Sequence, residues 1–216
     1  MNFFDHQSIF FTLWGYSMSY LEFFGTIAGA IAVFLSARAN VWSWPLGIVN
    51  VVLFFFLFYQ VQLYPDMFLQ VFFFITNLLG WYRWLHPQKE EFDKNKQLKV
   101  SRLSYRLWII FTLVGFAGTV SFGFLAKNLN SMFPLLFSQP SAFPYADSFV
   151  TIMSIVATYL MVQKKVECWL VWIVVDAVAC GLYFSKGILF VGIEYVVFCF
   201  IAAFGFWYWL KQYRAT

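Results

Sequence analysis

Five polar side chains, Asn50, Gln70, Asn77, Asp176 and Glu194, stand inside stretches otherwise built from Phe, Leu, Ile, Val and Trp. Within hydrocarbon such groups are costly, from about 2.5 kcal/mol upward for a charge at mid-depth, so they face a bundle interior or a wet cavity. Gln70, Phe74, Asn77 and Trp81 follow i, i+4, i+7 and i+11, and therefore share one helix face. Trp172, Asp176, Cys180 and Tyr183 share another. Amides that donate and accept, carboxylates that carry charge and flat rings together suit a planar, hydrogen-bonding ligand. A cation is included, because an aromatic face attracts one by about 0.5–2 kcal/mol. The plainer alternative is that these groups join helices through interhelical hydrogen bonds. That alternative applies more readily to Asn50 and Asn77 than to Asp176 and Glu194, since an ionised carboxylate needs more than one amide partner. Glu22, Thr26, Asp147 and Thr151 lie nearer helix ends, where capping and interfacial roles compete.

Other chemistries find no support in the residues. The two histidines, His6 and His86, fall outside the apolar stretches. No HExxH, Walker loop or Gly-Xaa-Ser-Xaa-Gly occurs, so no catalytic residue, metal or cofactor is expected. Cys168, Cys180 and Cys199 lack metal-ligand spacing and read as buried free thiols. No buried basic residue pairs with the carboxylates as an obvious proton relay.

The elements that must position these groups follow from composition. Of 216 residues, 62% are hydrophobic, 11% are charged and 30 are Phe, whereas soluble domains are about 25% charged. A bilayer can solvate that much apolar surface, and a spanning helix needs roughly 20 apolar residues. Seven such stretches occur, near 19–39, 41–61, 65–85, 106–127, 144–163, 168–186 and 188–210. Pro45, Pro65 and Pro144 stand in first turns, where a missing N–H costs little. Residues 1–15 are too short to span and predict an interfacial helix. No cleaved signal is expected there, because Asp5 and His6 occupy the place of a basic region. Residues 86–105 form the hydrophilic segment and predict a solvated cytoplasmic loop; 211–216 predict a cytoplasmic tail. Trp42, Trp84, Trp108, Trp207 and Trp209 fall near helix ends, where tryptophan anchors to the membrane interface.

Charge placement supports seven spans. One side receives Arg38, the seven basic residues from Arg83 to Arg106, Lys164, Lys165, Lys211 and Arg214; the other receives Lys127 and Lys186. The division is 12 against 2 and accounts for all 14 basic residues. The positive-inside rule then puts the N-terminus outside and the C-terminus in the cytoplasm. The net charge of +4 reflects those loops and calls for no nucleic-acid partner.

The chain also partly matches itself at an offset of 125: Glu22 falls on Asp147, Leu35 on Leu160, Trp44 on Trp169 and Trp84 on Trp209. One-residue slips put Asn50 beside Asp176 and Gln70 beside Glu194. The expected architecture is therefore an all-α membrane protein with repeats at 19–85 and 144–210. A linker helix at 106–127 restores their common orientation, giving a 3+1+3 plan. Parallel repeats of this kind hold substrate at the midplane in known transporters.

The stretches Gly47-Ile-Val-Asn50-Val, Leu69-Gln70-Val-Phe-Phe-Phe and Gly80-Trp81-Tyr82 carry a resemblance to a known family. So do Ala142-Phe-Pro-Tyr-Ala-Asp147-Ser, Trp169-Leu-Val-Trp172-Ile-Val-Val-Asp176 and Glu194-Tyr195. Over nearly the whole chain the sequence resembles the PnuC family of bacterial nicotinamide riboside transporters. The resemblance implies a SWEET-like 3+1+3 fold in the inner membrane, homotrimers, and one central site per protomer. It further implies facilitated diffusion, with uptake trapped by intracellular phosphorylation of the riboside. Asn50 and Gln70 would hydrogen-bond the ribose or carboxamide, and Trp172 would stack on the ring. Asp176 and Glu194 would supply charge complementarity, with Asn77, Trp81 and Tyr183 in the same cavity. Similar proteins carry thiamine, also a cation, so Asp176 does not decide between the two vitamins.

Overall fold

The computed structural model describes residues 5, 8–13, 16–60, 64–93, 96–132, 142–186 and 189–215. Among the described residues, two strands, β1 (Ile9–Leu13) and β2 (Tyr16–Ser19), precede seven long helices. These are α1 (Tyr20–Ala37), α2 (Ser43–Gln60), α3 (Tyr64–Leu85), α4 (Tyr105–Met132), α5 (Pro144–Val162), α6 (Cys168–Ser185) and α7 (Leu189–Arg214). Among the described residues, six of the seven are long and apolar enough to cross a membrane. The exception is α3, whose 22 residues reach ~33 Å at 1.5 Å each. Length is therefore sufficient there; Gln70, Asn77 and Arg83 dilute its apolar character.

The chain divides into two compact units, residues 1–99 and 100–216. In the first, α1 packs on α2 and α2 on α3. In the second, α4 packs on α5, α5 on α6 and α6 on α7.

The 125-residue offset reappears as repeated geometry inside each unit. After α1 the chain turns at Ala39 (φ 55°), and after α5 at Lys164 (φ 52°). Ala39 N donates to Ser36 O and Asn40 N to Leu35 O, both at 2.9 Å; Lys164 N donates to Met161 O and Lys165 N to Leu160 O, also both at 2.9 Å. Each set is a Schellman ending with a left-handed residue after the cap. The helices that follow carry Trp44 and Trp169, and each indole meets a second one edge-on. The ring centroids are 5.2 Å apart at 90° for Trp44–Trp84, and 5.5 Å apart at 89° for Trp169–Trp209. Gly80 and Gly205 lie against Trp44 and Trp169, so close that a β-carbon on either would strike the indole. Each junction therefore needs a glycine one turn before its second tryptophan.

This packing corrects the interfacial role expected of Trp84 and Trp209, which are fully buried, while Trp42 and Trp207 are exposed. The repeat register also corrects the one-residue slips. α2 and α6 begin at residues 43 and 168 and end at 60 and 185, a constant offset of 125. Asn50 therefore aligns with Val175, and Asp176 with Val51.

Two segments differ from expectation. Within the expected interfacial helix, residues 9–13 form β1, and residues 1–4, 6, 7, 14 and 15 lie outside the described set. Ile9-Phe-Phe-Thr is a β-branched and aromatic run, which favours a strand. The 86–105 loop is folded rather than merely solvated, with Leu98, Val100 and Leu103 buried. Gln88 and Glu91 form a capping box, and Glu91 also accepts from Arg83 at 2.8 Å. Leu98 N donates to Trp84 O at 3.0 Å, joining the loop to the end of α3.

Candidate functional site

In the first unit the polar residues split between helix joints and a cavity. Asn50 Nδ2 donates to Gly25 O of α1 at 2.8 Å, and its amide lies against Gly29. Only a missing side chain at position 29 leaves it room. Asn77 Nδ2 donates to Phe73 O, one turn back, at 2.8 Å, while its Oδ1 rests on Gly47 of α2. Both asparagines thus occupy helix–helix contacts and spend a donor on backbone.

Gln70 is placed differently. It is the polar member of a cavity of about 270 Å³ walled by Val51, Val52, Phe55, Phe56, Val71 and Phe74. Among the described residues its carboxamide has no hydrogen-bond partner. Trp81 is half-buried on α3. The structure thus sets Gln70 apart from Asn50, which turns to α1.

In the second unit, Asp176 lies on α6 at 4% exposure with no hydrogen-bond or ion-pair partner among the described residues. One turn earlier, the Trp172 indole N–H is buried and has no acceptor among the described residues. One turn after Cys180, Tyr183 stacks on Tyr195 of α7, with centroids 5.4 Å apart and planes at 14°. Tyr195 lies within electrostatic reach of both Asp176 and Glu194. The expected residues Asp176, Tyr183 and Glu194 thus all neighbour Tyr195, which stands in the Glu194-Tyr195 stretch but to which the sequence motifs assign no role of its own. The available signal was the repeat: an offset of 125 from Gln70 lands on Tyr195. Glu194 itself is exposed on α7.

Both ends of α6 are fixed to neighbours. At its start Glu167, 1% exposed, accepts from Leu103 N at 2.8 Å and from Arg102 Nε at 3.1 Å. At its end Lys186 Nζ meets Asp147 Oδ1 in the first turn of α5 at 2.7 Å, and lies 5.6 Å from the Tyr183 ring centroid. Each of these charges favours the helix end at which it sits. Among the described residues no three His, Cys, Asp or Glu side chains converge as metal ligands would.

The profile of the nicotinamide mononucleotide transporter family matches residues 19–211. The nicotinamide riboside transporter PnuC of Escherichia coli is 31% identical, over 99% of this chain and 96% of its own. The chain belongs to the PnuC family. Within reach of this PnuC-family chain is also the riboflavin/roseoflavin transporter RibM of Streptomyces davaonensis, 27% identical over 94% of this chain and 91% of its own. The crystal structure of a vitamin B3 transporter PnuC superposes with a TM-score of 0.63 at 22% identity, covering 91% of this chain and 83% of the other. That likeness establishes the fold. The PnuC-family chain is accordingly a multi-pass membrane transporter and not an enzyme.

Proposed function

We propose that this protein carries nicotinamide riboside across the bacterial inner membrane by facilitated diffusion. The observation that carries the substrate assignment is Asp176, a buried carboxylate that among the described residues has no ion-pair partner. A buried charge without a partner is costly, and a cationic substrate supplies the partner. The riboside's pyridinium ring is such a cation, and Trp172, Tyr183 and Tyr195 offer rings for it. A mononucleotide would bring a phosphate, which calls for Arg or Lys. The helices bearing Gln70, Asp176 and Glu194 carry basic residues in their last turns only, Arg83 on α3 and Lys211 and Arg214 on α7, while Lys186, which caps α6 5.6 Å from the Tyr183 ring, is paired with Asp147.

Gln70 and Asn50 serve the ribose or carboxamide, Asn50 through its remaining donor and its oxygen. Asn77 and Trp81 support that face, and Glu194 adds charge beside Tyr195. Access alternates as the two repeats rock, in a 3+1+3 arrangement with α4 as linker; the matched Trp–Gly–Trp joints support that plan. The N-terminus is outside, the C-terminus is cytoplasmic, and the assembly is a homotrimer. Phosphorylation inside the cell traps the riboside.

Isothermal titration of the purified protein with nicotinamide riboside, thiamine, riboflavin and nicotinamide mononucleotide tests the assignment. Binding of the riboside alone is the expected result. Thiamine binding would keep the cation site and change the vitamin. Preference for riboflavin, which has no fixed positive charge, would overturn the role given to Asp176.

A further inference from the structure

Five aromatic rings gather where the N-terminal hairpin meets α1. The Phe10 ring centroid lies 4.7 Å from Phe23, 5.0 Å from Tyr20 and 5.8 Å from Phe24. Phe11 meets Phe23 edge-on at 5.6 Å. A two-stranded hairpin is marginal by itself, so this cluster is what seats it on the helix. The register shifts between Ile9 and Phe11, leaving Phe10 unpaired across the strands. Such a bulge re-aims a side chain, and here the ring lands on α1.

The cluster is nevertheless not interior. Ile9 is 53% exposed, Phe10 42% and Phe24 41%. Further along α1 the large exposed residues are Ile27, Ile31 and Phe34. With Phe24 they follow i, i+3, i+7 and i+10, which is one helix face. In a membrane-spanning helix an apolar face of this kind meets lipid chains. Phe10 packs on Phe24, the first residue of that stripe, so the hairpin's exposed apolar side chains continue the lipid-facing surface beyond the helix start. From Ser8 to Leu21 the sequence holds no charged residue.

We infer that the hairpin is a membrane anchor. Ile9 and Phe10 insert between lipid headgroups and upper acyl chains of the leaflet where α1 begins. The partner is the lipid surface itself. Uncharged, aromatic-rich segments are what the membrane interface accepts, and the surface is continuous with the α1 lipid face. The inference needs only that α1 spans the membrane, and is independent of which substrate is carried.

The test places photoreactive p-benzoylphenylalanine singly at Ile9, Phe10, Ile27 or Glu90 of the full chain. The protein is reconstituted in phosphatidylethanolamine–phosphatidylglycerol vesicles, illuminated, and weighed by mass spectrometry. Expected are phospholipid adducts at Ile9 and Phe10 in yields matching Ile27 on the α1 stripe, with none at Glu90 in the hydrophilic loop. A covalent dimer in place of the lipid adduct would assign the surface to a second copy and overturn the anchor. Absence of lipid adducts at both hairpin positions, while Ile27 gives them, would overturn it equally. Ile9, more exposed than Phe10, keeps the test decisive should the Phe10 ring be needed for folding.

Discussion

A buried carboxylate without a cation sets a demand on whatever fills the space beside it. Among the described residues Asp176 meets that description, and its neutral isostere tests the demand directly. The pyridinium nitrogen carries no N–H, so the attraction is between charges, about 1.5–3 kcal/mol at separations of about 5–10 Å and an effective dielectric of about 20. Asp176→Asn should therefore weaken riboside binding by about 10- to 150-fold, read by titration, with expression and elution profile unchanged. Equal affinity would remove Asp176 from the site. Gln70→Ala should weaken binding more than Asn77→Ala does, because Gln70 faces a cavity while Asn77 rests on Gly47. Separate titrations of the two variants measure the difference. An acid or amide inside an apolar run is legible in the sequence by contrast alone. Tyr195 is less so, because a tyrosine among Val and Phe offers no such contrast; the Glu194-Tyr195 stretch contains it, and the repeat register sets it opposite Gln70. Nor does sequence reveal that the Asn50 and Asn77 amides donate to backbone carbonyls, since that depends on the small residues facing them from other helices.

At the level of elements, the indole joints and the two ties on α6 make the structure exacting. A β-carbon at Gly80 or Gly205 would collide with an indole that is itself buried. Overpacking of this kind costs about 1–3 kcal/mol, so Gly80→Ala and Gly205→Ala should each lower the melting temperature in detergent. Similar losses are expected from the two, given the similar geometry. Glu167→Ala would leave the buried Leu103 N–H without its acceptor, a cost of about 1–3 kcal/mol. The exposed Arg102 should contribute little to that loss. Thermal denaturation of the purified variant measures it. All seven helices are legible in the sequence, because an apolar run of spanning length and its proline and turn boundaries are local signals. The hairpin and the folded 86–105 loop are less so: ring stacking on α1 and the burial of Leu98 and Val100 come from tertiary contacts that no local pattern carries.

For the whole molecule, facilitated diffusion of a cation has a thermodynamic signature. Moving one charge through a membrane potential is worth about 2.3 kcal/mol per 100 mV. An inside-negative potential of about 60 mV should therefore raise riboside accumulation in proteoliposomes roughly tenfold. A pH gradient at zero potential should change it little. Accumulation driven by the pH gradient instead would replace uniport with proton coupling.

The two ties on α6 bear on how such a carrier moves. Glu167 fastens one end of the helix to the lead-in of α4, and Lys186 fastens the other to the first turn of α5. The two ties are unequal. The Glu167 end is buried and takes a backbone N–H, whereas the Lys186–Asp147 pair is 27% and 40% exposed and, as a surface ion pair, contributes about 0–1 kcal/mol. The end of α6 nearest Tyr183 is thus the more loosely held of the two.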